Sequence, residues 1–286
     1  MQHLLLLLVA LEQRSNLLIL GLGRVGSEVA KEARPHFEVV YGTTRSASSQ
    51  GEALTFEEID EVLPSCSHVL VTIPAPLTVD DDRYDVYRRV KEAKPSWIGI
   101  LSTTGVYGDH QGDWVTEESP SIDPDTSAQA YLAYEDFWKD SGAHIFRCAG
   151  IYGNTRSALH TVYRNGVSVS SSSSVTSRIH EADIARAVVA CMQSPPSRLL
   201  YNLADDEPSA RGDALAYAAQ LLDERGISYP NTSSPARRRR SGQKRVDNTR
   251  MKQDLVDELL FPSYREGLAS IVDCPDAPWN LLGSSN

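Results

Sequence analysis

Gly21, Gly23 and Gly26 stand in G-x-G-x-x-G spacing directly after Leu17-Leu-Ile-Leu20. Consecutive apolar residues suit a strand buried on both faces of a parallel sheet, and Val25, Val29 and Ala33 continue at helical spacing. In a strand–turn–helix context each glycine has its own task. Gly21 permits the tight turn, Gly23 lets a phosphate approach the backbone, and Gly26 lets helix and strand pack closely. A diphosphate would sit on the free N–H groups at the positive end of the helix, around Arg24 and Val25. The spacing points to a dinucleotide; the alternative is a turn that is merely structural.

A second group of polar residues follows one strand later. Phe37–Gly42 reads as that strand, and Tyr41-Gly-Thr-Thr-Arg-Ser46 holds no carboxylate; the next is Glu52. A ribose 2′-hydroxyl is usually bonded by an Asp or Glu about 20 residues past the first glycine. Hydroxyls beside a guanidinium suit a 2′-phosphate instead. Arg45 offers a charge-assisted fork, and Thr43, Thr44 and Ser46 add donors. NADP is therefore expected over NAD, unless Arg45 is only a solvated loop charge.

These groups need elements to hold them, and the pattern supplies a β-α repeat. Thr55–Leu63 reads as a short amphipathic helix with a Thr cap, and His68–Ile73 as a buried strand breaking into Pro74-Ala-Pro76. Asp80-Asp-Asp82 opens a helix. Trp97–Ser102 and Ala143–Cys148 read as strands on either side of a long loop and a helix over Ser127–Ser141. Such alternation predicts an α/β doubly wound parallel sheet. Later elements are a helix over Ile184–Gln193, a strand over Leu199–Leu203, and helices over Pro208–Arg225, Met251–Leu260 and Tyr264–Val272. The serine run Ser170–Ser174 reads as a loop or weak strand pair, and Arg237–Arg240 with Lys244 and Arg245 as a basic loop, solvated or meeting an anionic substrate or partner.

Bulk properties narrow the partners. A net charge of -10 argues against a nucleic-acid binder, whose affinity comes mainly from basic residues meeting phosphates. The apolar run Leu4–Val9 is too short to span a bilayer and reads as an added helix, so no membrane partner is expected. Cys66, Cys148, Cys191 and Cys274 include no C-x-x-C pair and read as reduced thiols. That suits the cytoplasm or another reducing compartment such as an organelle stroma. No metal site is expected.

Four motifs make a family visible by their order. They are Gly21-x-Gly23-x-x-Gly26, Ser102-Thr-Thr-Gly-Val-Tyr-Gly108, Arg147-Cys-Ala-Gly-Ile-Tyr-Gly153 and Arg178-Ile-His-Glu-Ala-Asp-Ile-Ala185. With Asn248-Thr-Arg-Met-Lys252 and Phe261-Pro-Ser-Tyr-Arg-Glu-Gly267, the chain resembles the extended short-chain dehydrogenase/reductases, in their NAD-dependent epimerase/dehydratase group. Its likeness is to an atypical branch lacking part of the usual catalytic set. The resemblance implies a Rossmann-type dinucleotide domain over residues 17–153, after an extension over 1–16. A smaller substrate lobe over 154–286 would interleave with the last sheet strands.

The resemblance also assigns roles. Ile73, Pro74 and Ala75 fall where the family loop passes the adenine ribose, and Gly150, Ile151 and Tyr152 where it passes the nicotinamide amide. Thr103 falls on the hydroxyl position that orients substrate, four residues before Tyr107, with Thr104 beside it. Arg178, His180 and Asp183 fall where the superfamily meets substrate or braces that loop; for His180 and Asp183 the alternative is helix capping. The Tyr-x-x-x-Lys pair does not carry over. With Glu135 as reference, its positions hold Ser127 and Tyr131, and the one match, Tyr87-Arg-Arg-Val-Lys91, precedes the Thr103 strand. Tyr131 or Tyr134 is then the phenol available to that role.

Three readings follow. The first is an NADP-dependent oxidoreductase or epimerase acting on a small polar substrate such as a sugar nucleotide, with a homodimer as a compatible assembly. The second is a non-catalytic NADP-binding sensor or scaffold. The third is a hydride-neutral dehydratase or isomerase with Tyr107 or Tyr131 as acid.

Overall fold

The computed structural model describes residues 15–44, 53–78, 81–167, 174–231 and 242–281. The apolar N-terminus, Arg45, Ser46, Asp80, serines 170–173 and Arg237–Arg240 lie outside the described residues.

The chain runs β1 (Asn16–Leu20), α1 (Arg24–Ala33), β2 (Val40–Thr43), β3 (Ala53–Leu54), α2 (Ile59–Val62) and β4 (Cys66–Val71). Then come α3 (Arg83–Ala93), β5 (Trp97–Thr103), a 3₁₀ turn (Thr104–Tyr107), β6 (Trp114–Val115), α4 (Thr126–Trp138) and β7 (His144–Cys148). The second half holds β8 (Gly150–Tyr152), α5 (Ala158–Asn165), β9 (Val175–Thr176), β10 (Arg178–His180), α6 (Glu181–Gln193) and β11 (Leu200–Leu203). It closes with β12 (Ser209–Ala210), α7 (Arg211–Glu224), β13 (Arg245–Val246), α8 (Thr249–Asp254) and α9 (Tyr264–Val272).

Seven strands form one sheet in the order β11-β7-β5-β4-β1-β2-β3, every pair parallel. The chain winds outward from β1 in one direction, then returns to β4 and winds in the other. The reversal opens a crevice at the carboxyl ends of β1 and β4, where ligands of such sheets sit. Alternation along β1 explains its unbroken apolar run. Leu17 and Ile19 enter a core shared with α1 and α6, while Leu18 and Leu20 enter a core shared with α3 and α4. A third core, built by α5, α7 and α9, forms the lobe. It is joined to the sheet by β11.

The edges of several elements differ from the sequence reading. β2 starts at Val40, because residues from Ala33 to His36 turn (His36 N–H donates to the Ala33 carbonyl, 2.9 Å) and Phe37 packs edge-on against His68. The helix expected over Thr55–Leu63 shrinks to Ile59–Val62. The Thr55 amide and hydroxyl both donate to the Glu58 carboxylate, holding that stretch as a turn, and Pro64 falls in a following 3₁₀ turn. The helix expected to reach Leu260 ends at Asp254, where the Leu255 and Val256 amides both turn back to the Met251 carbonyl; the Leu260 and Phe261 amides further on are taken by Asp183. All four cysteines are unpaired. No described helix is long and apolar enough to cross a membrane.

The approach of α1 to β1 yields a paired prediction. A Cβ on Gly26 would lie 2.0 Å from the Gly21 carbonyl oxygen, whereas one on Gly23 would meet nothing within 4 Å. Gly26→Ala should lower unfolding free energy by about 1–3 kcal/mol, as overpacking of fixed backbone does. Gly23→Ala should move it by less than about 1 kcal/mol. Urea unfolding of both variants checks this; equal destabilisation would contradict it.

Candidate functional site

The glycine turn is clamped from two strands. Gly21 has φ +108°, and a Cβ there would lie 2.6 Å from Ile73 Cγ2. Its N–H donates to Thr43 Oγ1 at 2.9 Å, and its carbonyl accepts from Thr72 Oγ1 at 2.5 Å. These bonds fix the backbone so that Gly23 faces open space. No side chain caps α1, and its first turn holds no carboxylate. Uncapped N–H groups beside an open glycine are what a dinucleotide diphosphate needs, so the residues present fit one.

The residues expected around the adenosine half divide. Thr43 is buried, and its hydroxyl oxygen serves the Gly21 amide, so it belongs to the turn as well as to the expected 2′-phosphate group. The Thr44 amide is bonded to the Leu54 carbonyl. Pro74 is exposed, with its carbonyl held by Arg83 Nη1 at 2.6 Å, while Ala75 is buried.

Thr103 ends β5 at the carboxyl edge, half-buried, with Cys148 of β7 as its register partner. Its Oγ accepts from the Gly105 amide at 3.0 Å, which leaves the hydroxyl proton to donate. Thr104 is buried next to it. Tyr131 lies on α4, which packs against the Thr104–Tyr107 turn. Burial raises its phenol above the ordinary range, against a hydrogen bond from the Ala75 backbone, and the Cys148 thiol faces it. The structure thus brings Thr103, Tyr131 and Ala75 to the carboxyl ends of β4, β5 and β7. Gly150 and Ile151 run past the same end, exposed and half-buried, and Tyr152 is buried behind them.

Tyr107 is elsewhere. The 3₁₀ turn carries its ring inward over the Arg147 guanidinium (4.9 Å), and its hydroxyl donates to Asn202 Oδ1 at 2.7 Å. Its place is an interior network. Glu135 accepts from Ser102 Oγ (2.5 Å) and from both Nε (3.0 Å) and Nη2 (2.6 Å) of Arg147. The network ties α4, which carries Tyr131, to the ends of β5 and β7, where Thr103 lies. Ser127, at the expected phenol position, is exposed. The Tyr87–Lys91 match sits on α3, with Tyr87 inside the core against Trp138 and Lys91 bonded to the Phe137 carbonyl.

No family model and no curated protein matches the sequence. Solved structures do. The chain is similar to a conserved protein of unknown function from Silicibacter pomeroyi, at 29% identity and a TM-score of 0.76, over 90% of this chain and 98% of that one. It is similar to a protein from Methylobacillus flagellatus placed among NAD-dependent epimerase/dehydratases, at 23% identity and 0.72, over 91% and 98%. A third is UDP-glucuronic acid 4-epimerase from Bacillus cereus in complex with NAD, at 16% identity and 0.68, over 92% and 99%. The chain has the fold of the extended short-chain dehydrogenase/reductases.

In this short-chain dehydrogenase/reductase fold, β10 pairs with β8 and brings the Arg178 motif to the lobe side of the crevice. Arg178 donates to Ser209 Oγ at 2.8 Å and lies 5.4 Å from the Tyr264 ring centre. His180 is buried between Tyr152 and Phe261. Its Nδ1 accepts from the Ala182 amide at 3.1 Å, capping α6, and burial lowers its pKa to about 4. Asp183 braces the segment before α9 through the Leu260 and Phe261 amides. Capping and bracing are therefore what His180 and Asp183 do in this structure.

Lys244, expected in a solvated basic loop, is instead buried, and Asp205 is a buried carboxylate outside the expected site. Lys244, 7% exposed, donates from Nζ to the Gly108 carbonyl at 2.9 Å, with Asp109 and Asp125 facing it; burial lowers its pKa. Asp205, 1% exposed, follows β11, and its oxygens approach the Arg178 and Glu207 backbone without a well-aligned hydrogen bond. Burial raises its pKa to about 8, against the nearby Arg178 charge. The only sequence signal for it was an Asp-Asp pair ending an apolar strand.

Asp205 makes stability depend on pH. The folded chain keeps its proton to about pH 8, whereas the unfolded chain releases it near about pH 4. The folded state binds more protons between these values, so stability falls as pH rises. Asp205→Asn should flatten the decline in melting temperature between about pH 5 and about pH 8. An unchanged slope would contradict the assignment.

Proposed function

We propose that the chain is an NADP-dependent oxidoreductase or epimerase acting on a small polar substrate of the sugar-nucleotide kind. What supports this reading is the uncapped α1 N-terminus at Gly23, on the sheet edge where Thr103 ends β5 beside Cys148 and where Tyr131 meets Ala75 and Cys148. The Bacillus cereus epimerase of the same fold is in complex with NAD. NADP is favoured here by the absence of a carboxylate from Tyr41 to Ser46 and by Arg45.

A bound nicotinamide supplies or accepts the hydride. Thr103, already accepting from Gly105, donates its hydroxyl proton to the substrate oxygen and fixes its position. Tyr131, kept protonated by burial, gives a proton to that oxygen as carbonyl becomes alcohol. The lysine that would lower a tyrosine pKa is missing from this helix. The reductive direction is therefore the one this phenol serves near neutral pH.

The test follows NADPH absorbance with a panel of sugar nucleotides, ketones and aldehydes. Tyr131→Phe and Thr103→Ala should each cut turnover by about 10²-fold with nucleotide affinity retained. Turnover in the reductive direction should persist up to the raised Tyr131 pKa and fall beyond it. If NADPH binds and no substrate in the panel is turned over, the sensor or scaffold reading, which the missing Tyr-x-x-x-Lys pair favours, replaces this one.

A further inference from the structure

Arg24 is the first residue of α1, directly after the open Gly23. A cation there opposes the helix dipole, which favours negative charge at that end. The guanidinium reaches away from its own helix, and Nη1 donates to Glu181 Oε2 at 3.1 Å. The Arg24 side chain is 29% exposed, the Glu181 side chain 6%.

Glu181 is the first residue of α6, packed side by side with α1. Its other oxygen, Oε1, accepts from the Asn154 amide at 3.0 Å. A Cβ on Gly153 would lie 2.0 Å from Glu181 Cδ, so the carboxylate is pressed onto the turn that follows Gly150–Tyr152. The pair therefore links the glycine turn to the loop that follows Gly150–Tyr152. Glu28 also faces Glu181, and His160 faces Arg24.

The two ends are not equivalent. Glu181 is supported by the N-terminus of α6 and by Asn154, and keeps both if Arg24 leaves. Arg24 sits at an unfavourable helix end, and a diphosphate on the α1 N–H groups would be a stronger anion for it than one carboxylate.

We propose that Arg24 is shared between Glu181 and the diphosphate of a bound nicotinamide dinucleotide, with Glu181 competing for the guanidinium and thereby setting nucleotide affinity. The inference rests on the nucleotide reading above and adds a residue pair that tunes it. A purely structural strut would behave differently, because removing either partner would then disturb the crevice in the same sense.

Equilibrium titration of NADPH and of NADH, by protein fluorescence, separates the cases for wild type, Arg24→Gln, Arg24→Lys and Glu181→Gln, with melting temperatures recorded alongside. Arg24→Gln should raise Kd about ten- to a hundredfold, the weight of a charge-assisted bond. Arg24→Lys should recover most of that loss, and Glu181→Gln should lower Kd by about three- to tenfold. Opposite signs for Arg24→Gln and Glu181→Gln support the competition. Changes of the same sign, or none, with wild type still binding overturn it alone. Failure of wild type to bind either nucleotide overturns it together with the nucleotide reading. Should Arg24→Gln not fold, Arg24→Lys and Glu181→Gln still decide the sign.

Discussion

How near the first helix can come to the first strand governs the rest of this molecule. Gly26 lies against the Gly21 carbonyl, with no room for a methyl group between them. That contact sets the tilt of α1 and aims its free N–H groups at the crevice. The two threonines that hold Gly21, Thr43 from β2 and Thr72 after β4, come from the strands on either side of β1. The parallel sheet thus works as a jig for one turn. Its two apolar faces, filled by opposite residues of β1, make the jig rigid.

The second half of the site is built by a different principle. Where the resemblance implies a Tyr-x-x-x-Lys pair, this chain presents Ser127 and Tyr131. What anchors α4 is the Glu135–Arg147 ion pair, with Ser102 as a third partner. Such a buried pair gives geometric definition more than net stability. Here it ties the helix carrying Tyr131 to the strand ends that carry Thr103. Burial raises the Tyr131 phenol above the ordinary range there.

Much of this was legible in the chain, for identifiable reasons. Leu17–Leu20 of β1 and Trp97–Leu101 of β5 carry no charged side chain because both faces of a parallel sheet are covered, and the glycine spacing states the turn directly. Less was legible where side chains compete with backbone. Glu58 holds Thr55 and its neighbours outside a helix that their pattern suggested, and Asp183 takes the Leu260 and Phe261 amides at the end of a stretch whose pattern suggested another. Tyr107 read as a site residue from its place in the Ser102–Gly108 motif, yet a 3₁₀ turn, with three residues per turn, swings it onto Arg147. The Arg24–Glu181 pair joins residues 157 apart in sequence, and no local pattern announces such a partner. Asp205 is hidden for a related reason: its pKa comes from burial, which only the folded lobe creates.

The crevice beside Gly23 is proposed as the seat of a phosphorylated nicotinamide nucleotide. Calorimetric titration of the purified chain with NADPH and then with NADH tests it most directly. Saturable binding at one site per chain is expected, with NADPH the tighter ligand. Absence of saturable heat with both nucleotides would contradict it.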